Sequence, residues 1–162
     1  YGEPLLPCRS QGSSDRYGSW NQEGLCNETG GGVHQICVNV DKVPKFSEST
    51  GQSKWSDGRK GKNHCMCLGA WALYKAKQDS GEIPRTQDEL NCPAIMDDAL
   101  SSEYINKWNT WNGIELPNQI VSGVDSLVTQ CYRKGNTKQR NHLKKLYNNL
   151  AEGKPEFDKN LI

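Results

Sequence analysis

The sequence predicts an α+β fold: a small cysteine-rich core with short strands and one main helix, extended at its C terminus by a helical hairpin. Three observations lead there. Seven of the 162 residues are cysteine, and six of those precede residue 100. The run VHQICVNV at 33–40 is β-branched and partly alternating, with Ile36, Val38 and Val40 on one face, which is the period of a strand. Further on, two stretches with apolar residues at helical spacing are separated only by Gly135-Asn136, the pattern of two helices folded back on each other.

Each element follows from its own residues. Residues 1–32 are rich in Gly, Ser, Pro and Asn, so turns and irregular backbone are expected, stapled by Cys8 and Cys26. The strand at 33–40 puts His34 and Cys37 on opposite faces. Residues 47–63 form a polar, glycine-punctuated loop from which Trp55 tucks back onto the body. Cys67, Trp71 and Tyr74 recur at helical spacing and Gly81 supplies a stop, so the main helix is expected over 65–79. A short helix ending near Trp108 is expected after the prolines at 84 and 93. Ser122-x-x-Asp125 resembles a capping box ahead of Val124, Leu127, Val128 and Cys131, which predicts a helix of about ten residues. The last helix follows Asn136, carries Leu143, Leu146, Tyr147 and Leu150 on one stripe, and ends at Gly153. The composition shifts near residue 100, so the expected division is a cysteine-rich core at 1–100 and a helical extension at 101–162 packed on it.

Length allows one proper hydrophobic core. The mean hydropathy of −0.83 and the 16 glycines make that core modest, and modest cores are reinforced by disulfides or metals. Twenty basic residues against nineteen acidic ones give a net charge of +1. No global field then draws the chain to nucleic acid or anionic lipid, and the basic stripe on the last helix reads as a solvated face. No apolar run is long enough to span a bilayer. The chain starts at Tyr1 without an initiator Met, which favours a processed mature chain in an oxidising setting, an organellar lumen or the extracellular space. The triplet Asn27-Glu28-Thr29 is a glycosylation acceptor in such a setting.

The cysteines leave alternatives open. His34-x-x-Cys37 with Cys65-x-Cys67 offers one imidazole and three thiolates, the number and softness that tetrahedral zinc takes. The bland reading of the same residues is buried thiols, or bridges between strand, loop and helix. A third makes Cys65 or Cys67 reactive, because a helix N terminus lowers a thiol pKa. Cys92 and Cys131 are candidates for a bridge tying the extension to the core. Gly30-Gly31-Gly32 lacks the strand and lysine of a phosphate loop, and the neighbours Asp97 and Asp98 diverge on a helix. Trp108 and Trp111 could stack on a sugar or a partner, against a role in core packing.

Five stretches in register carry a family likeness: Gly2-Glu3-Pro4-Leu5-Leu6-Pro7-Cys8, Gly24-Leu25-Cys26 with Thr29-Gly30, His34-Gln35-Ile36-Cys37, Phe46-Ser47 before Gly51, and Cys65-Met66-Cys67-Leu68 leading to Trp71. Over about residues 2–75 the chain resembles the family called domain of unknown function 2237. Relatives usually have Trp where this chain has His64, and a longer proline-containing loop where it has residues 52–62. The resemblance implies that the shared cysteines need not be disulfides, because members occur in reducing cytosols. It implies no activity.

The function expected from all this is a non-enzymatic structural or interaction subunit of a larger protein assembly. Partner-binding residues would be Trp108, Trp111, Leu143 and Tyr147, and any peripheral membrane association would run through the partner. The competing expectations are a metal-dependent or thiol enzyme centred on His34, Cys37, Cys65 and Cys67, with zinc as the candidate cofactor, and a carbohydrate-binding module using Trp108 and Trp111.

Overall fold

The computed structural model describes every residue except 17, 29–33, 107–109, 112–113 and 116–118; at 110–111 and 114–115 it describes the backbone alone. The elements are β1 (His34–Asn39), α1 (Phe46–Ser49), β2 (Asn63–Cys67), α2 (Leu68–Asp79), α3 (Ser102–Asn106), β3 (Thr110–Trp111), β4 (Ile114–Glu115), α4 (Gln119–Lys134) and α5 (Thr137–Ala151). The fold is α+β, helices packed against a small antiparallel hairpin.

In that hairpin β1 pairs with β2 so that Ile36 faces Met66, Cys37 faces Cys65 and Val38 faces His64, with a bulge between His34 and Ile36. Gln35, Ile36, Cys37 and Val38 are all buried. Both faces of β1 are therefore covered, and the alternation expected to separate His34 from Cys37 separates no wet face from a dry one. Val40 leaves the strand and opens a 3₁₀ turn over Val40–Lys42.

The main helix begins three residues later than the sequence suggests. Cys65, Met66 and Cys67 pair with β1, which commits their backbone to the ladder. Cys67 then caps α2 from an extended conformation, its Sγ accepting from the Ala70 N–H at 3.5 Å. α2 is central: Leu68, Trp71, Ala72 and Tyr74 are all completely buried. Its closest neighbour is α4, and the contact depends on Gly123. A Cβ there would sit 2.8 Å from both Cα and Cβ of Ala72, well inside van der Waals contact. The gap also lets the Trp71 indole N–H donate to the Gly123 carbonyl at 3.1 Å.

α4 runs for 16 residues, longer than the expected ten. Ser122 and Asp125 lie inside it, so the capping-box lookalike caps nothing; the helix continues N-terminally because Ile120, Val124, Leu127 and Val128 form one buried stripe. α5 starts where expected. Asn136 caps it with a reciprocal bond from Gln139, a complete capping box.

One continuous hydrophobic cluster runs from Cys8 and Ile36 through Trp71 and Leu127 to Leu150 and Phe157. Residue 100 marks no break in it. The extension is a wall of the same interior, because without α4 the apolar faces of α2 would be left open to water.

Candidate functional site

The cysteines are the first place to look for chemistry. Cys8 is bonded to Cys37, Cys26 to Cys65 and Cys92 to Cys131, and Cys67 is the one free thiol among the described residues. This changes the expected ligand set. Cys37 and Cys65 spend their sulfurs on bonds to the N-terminal loops, and a disulfide sulfur has no thiolate charge to give a cation. His34 is elsewhere engaged: its Nδ1 lies 2.5 Å from Glu28 Oε2, and its backbone N–H donates to the same oxygen at 3.2 Å. The four residues His34, Cys37, Cys65 and Cys67 do not converge as a donor set in the oxidised chain.

The reactive-thiol expectation is also corrected. Cys67 does sit at a helix N terminus, but it is 3% exposed and burial pushes its thiol up to about 11, against a smaller lowering by the N–H of Ala70. The two effects can be compared. A rise of two units corresponds to roughly 3 kcal/mol against the thiolate, whereas a helix terminus returns about 0.3–1 kcal/mol. Desolvation wins, and Cys67 is a small buried hydrophobe that caps a helix.

Beside the cysteines lies a polar cluster that single-residue reading did not single out. His64 is 5% exposed, and its Nε2 is 3.2 Å from the Ser19 hydroxyl. Its ring and that of Trp55 meet nearly at right angles, with centroids 4.8 Å apart. Ser19 holds the left-handed conformation, φ 60°. The Arg59 guanidinium stacks over Trp55 at 4.3 Å and donates to the Trp55 carbonyl, so the long loop is tied down by cation–π contact as well as by Phe46 at 5.0 Å. Trp55 thus packs onto the body. Ser19 is 45 residues from His64 and Trp55 lies across the intervening polar loop, and nothing in their spacing signals the meeting.

A second cluster joins the two halves of the chain. The Lys75 ammonium on α2 lies 3.2 Å from Glu89 Oε1 and donates to the Thr86 carbonyl at 3.1 Å. Gln130 on α4 donates to Glu89 Oε2 at 2.8 Å, while the Thr86 hydroxyl bonds Glu89 Oε1. Gln78 donates to the Thr86 hydroxyl at 2.7 Å. The Glu89 side chain is fully buried and Lys75 only 7% exposed. Every charge here is answered by an opposite charge and further hydrogen bonds, which is what allows an ion pair to survive in an interior.

The expected partner-binding residues separate sharply. Leu143 and Tyr147 are 2% and 1% exposed; they fill the protein's own core, and the Tyr147 hydroxyl donates to the Asp158 carbonyl at 2.8 Å. Helical periodicity names the inward face of a helix, and inward residues are spent on folding. Trp108 lies outside the described residues. Trp111 is in β3, opposite Ile114. Thr29 of the sequon and the glycines at 30–32 also fall outside them.

What α4 and α5 do present outward is positive charge. Between residues 126 and 151 there are six Lys and Arg and no Asp or Glu, so the remaining chain holds fourteen cations against nineteen anions. All six (Arg133, Lys134, Lys138, Arg140, Lys144 and Lys145) are exposed. Some are partnered locally: Arg133 and Lys134 with Asp88 at 2.7 and 3.7 Å, and Lys138 with Glu3 at 3.3 Å. Arg140 donates to the Tyr132 and Arg133 carbonyls, closing the C terminus of α4. Its guanidinium and the Lys144 ammonium lie 5.2 and 5.7 Å from the Tyr132 ring. Lys138, His142 and Lys145 line an open groove between α5 and the N-terminal segment. The overall charge of +1 concealed this asymmetry, because it is a sum over faces.

Among the described residues no helix is long and apolar enough to cross a membrane. No family model matches this chain, and no curated protein or solved structure matches it either.

Proposed function

We propose that this protein is a structural or interaction subunit that docks on an acidic surface of a larger protein assembly through the outer face of α5. One observation carries the reading: an acid-free span of 26 residues, 126–151, puts six exposed cations on the α4–α5 end of a molecule whose other parts are net acidic. Such separation of charge orients a protein in the field of a complementary partner and speeds its encounter, by about 10- to 1000-fold at low salt. The rigidity of the face supports the same reading. α4 is held to the body by the Cys92–Cys131 bond and by Gln130 on the buried Lys75–Glu89 pair, so little ordering remains to be lost on binding.

Three disulfides support residence in an oxidising compartment, an organellar lumen or the extracellular space. Any membrane association would run through the partner. The likeness of residues 2–75 to domain of unknown function 2237 belongs to the same proposal, since four cysteines in its matching stretches are those of the two hairpin-side bridges.

The test is charge reversal on the exposed face. Lys144→Glu with Lys145→Glu leaves the core untouched, since both side chains point outward. In its native cell the tagged wild-type chain is expected to elute with a high-mass complex, and the double variant as a monomer with unchanged circular dichroism. Co-elution of the variant with the complex would refute α5 as the docking face. Salt-sensitive capture on duplex RNA or phosphatidylserine vesicles, in preference to poly-glutamate, would move the reading to another class of partner.

A further inference from the structure

The two disulfides of the hairpin lie against each other. The Sγ atoms of Cys8, Cys26 and Cys65 are all within 4.8 Å of one another. Cys37 is bonded to Cys8 and stands directly across the ladder from Cys65. Three sulfurs therefore lie together, and the fourth, Cys37 Sγ, is bonded to one of them; two of the four come from the strands and two from the N-terminal loops. None of these residues is more than 1% exposed. Cys92–Cys131 lies in another part of the fold, and this is the one such cluster among the described residues.

We propose that Cys8, Cys26, Cys37 and Cys65 form, when reduced, a closed tetrathiolate site for a soft divalent cation of the zinc class, the two disulfides being the oxidised state of the same site. Tetrahedral zinc with sulfur at about 2.3 Å separates its ligands by roughly 3.8 Å. The three sulfurs already gathered within 4.8 Å reach that arrangement by shifts on the order of 1 Å once the two bonds open, and Cys37, bonded to Cys8 and opposite Cys65 on the ladder, is the neighbour that completes the set. Thiolate donors select soft cations over magnesium or calcium. Full burial makes the site structural in type, with four protein ligands and no position left for water. This set differs from the one the Cys-x-Cys motif suggests: it omits His34 and Cys67 and adds Cys8 and Cys26. The two motif cysteines are separated on β2 only by Met66, but only Cys65 belongs to the cluster, whereas Cys67 turns to cap α2.

The chemistry balances with one external reagent class. Each disulfide accepts two electrons and two protons from a dithiol reductant, which is itself oxidised to a disulfide. Four thiols result, and coordination of the divalent cation releases their four protons to solvent. Both states pin the N-terminal loops to the hairpin, one by covalent bonds and the other by coordination. In a reducing medium, binding of the cation is therefore coupled to folding of this half of the molecule.

The full chain can be unfolded with a dithiol reductant, returned anaerobically to native buffer and titrated with Co²⁺ as the spectroscopic probe. The expected result is one equivalent of cobalt with the visible and charge-transfer bands of tetrahedral thiolate, displaced by Zn²⁺. Cys8→Ser and Cys26→Ser should each abolish that spectrum; Cys67→Ser, and Cys92→Ser with Cys131→Ser, should retain it. Because a ligand variant could fail to fold, differential alkylation of the reduced wild-type chain provides a second reading: the protection added by zinc should map to Cys8, Cys26, Cys37 and Cys65. A reduced chain that takes up no stoichiometric cobalt overturns the proposal. So does loss of the spectrum on Cys67→Ser, or zinc protection that maps to Cys67, Cys92 or Cys131. The charge-reversed Lys144→Glu/Lys145→Glu variant should bind cobalt normally, which keeps this test separate from that of the docking face.

Discussion

The hairpin half and the helical half of this molecule are held together by different physics. Around β1 and β2 the N-terminal loops contribute little regular structure, and two adjacent disulfides fasten them, helped by scattered backbone bonds such as Cys8 N–H to the Gly24 carbonyl at 2.8 Å and Leu6 N–H to the Pro93 carbonyl at 3.0 Å. Around α2, α4 and α5 the order comes from interlocked apolar faces, with a single disulfide and one buried ion-pair network at the seam. Cross-links limit the unfolded ensemble wherever they are placed. Close packing requires shapes to match, so its weak points are individual atoms.

The largest effect should come from the seam. Glu89→Ala leaves the Lys75 ammonium buried without its carboxylate and strips Gln130 of an acceptor; urea denaturation should show a loss of about 3–5 kcal/mol. Replacing both members by apolar residues, Lys75→Met with Glu89→Leu, should recover most of it. A small cost for Glu89→Ala alone would show that the two halves are not joined there.

Next come the cross-links. They span 29, 39 and 39 residues, for which loop-closure entropy alone gives about 3–4 kcal/mol each. Equal spans make the comparison between halves direct. Paired Cys→Ser replacement of 26 and 65 should cost more than that of 92 and 131, since the helical half retains its packing. Reversal of that order in thermal melts would break the contrast drawn here.

Gly123→Ala probes packing by a single methyl. With the new Cβ at 2.8 Å from Ala72, the helices must separate, and overpacking of this kind costs about 1–3 kcal/mol. A paired Ala72→Gly change should restore part of the loss, and unchanged stability would contradict the close approach of α2 and α4.

The smallest effect depends on pH. Burial, with Asp158 and Asp79 nearby, raises the Asp125 carboxyl to about 6. A carboxyl raised in the folded state contributes stability below its unfolded value near 3.8 and loses it as pH climbs through 6. At pH 7 ionised Asp125 is therefore a burden, and Asp125→Asn should stabilise the protein by about 1 kcal/mol or less after allowance for its partial exposure. The gain should fade as the pH is lowered from 7 to 4; a gain that grows on acidification has the wrong sign.

The two halves also differ in how far they could be read in advance. Helix α5 was legible because its signals are local: Asn136 and Gln139 are three residues apart, and its stripe repeats with the helical turn. The start of α2 was misplaced because Cys67 continues the helical spacing of Trp71 and Tyr74, yet Cys65–Cys67 pairs with β1 from about thirty residues away. Leu143 and Tyr147 were visible as special, but periodicity marks the face that packs inward, and the exposed cations beside them were averaged away in a net charge of +1.

By itself the sequence determined the class of fold, the number of sulfurs, the capped and periodic helices, and the punctuation by glycine and asparagine, because each is encoded by neighbours within a turn or two. The bridge from Cys92 to Cys131 is the one the sequence suggests; the partners of Cys8 and Cys26 were left to the tertiary structure. Six bridged cysteines allow fifteen pairings, and spacing along the chain does not choose among them; the docking of the N-terminal loops on β1 and β2 does, giving Cys8–Cys37 and Cys26–Cys65 although Cys37 and Cys65 face each other on the ladder, since contacts between distant segments exist only once the interior has closed.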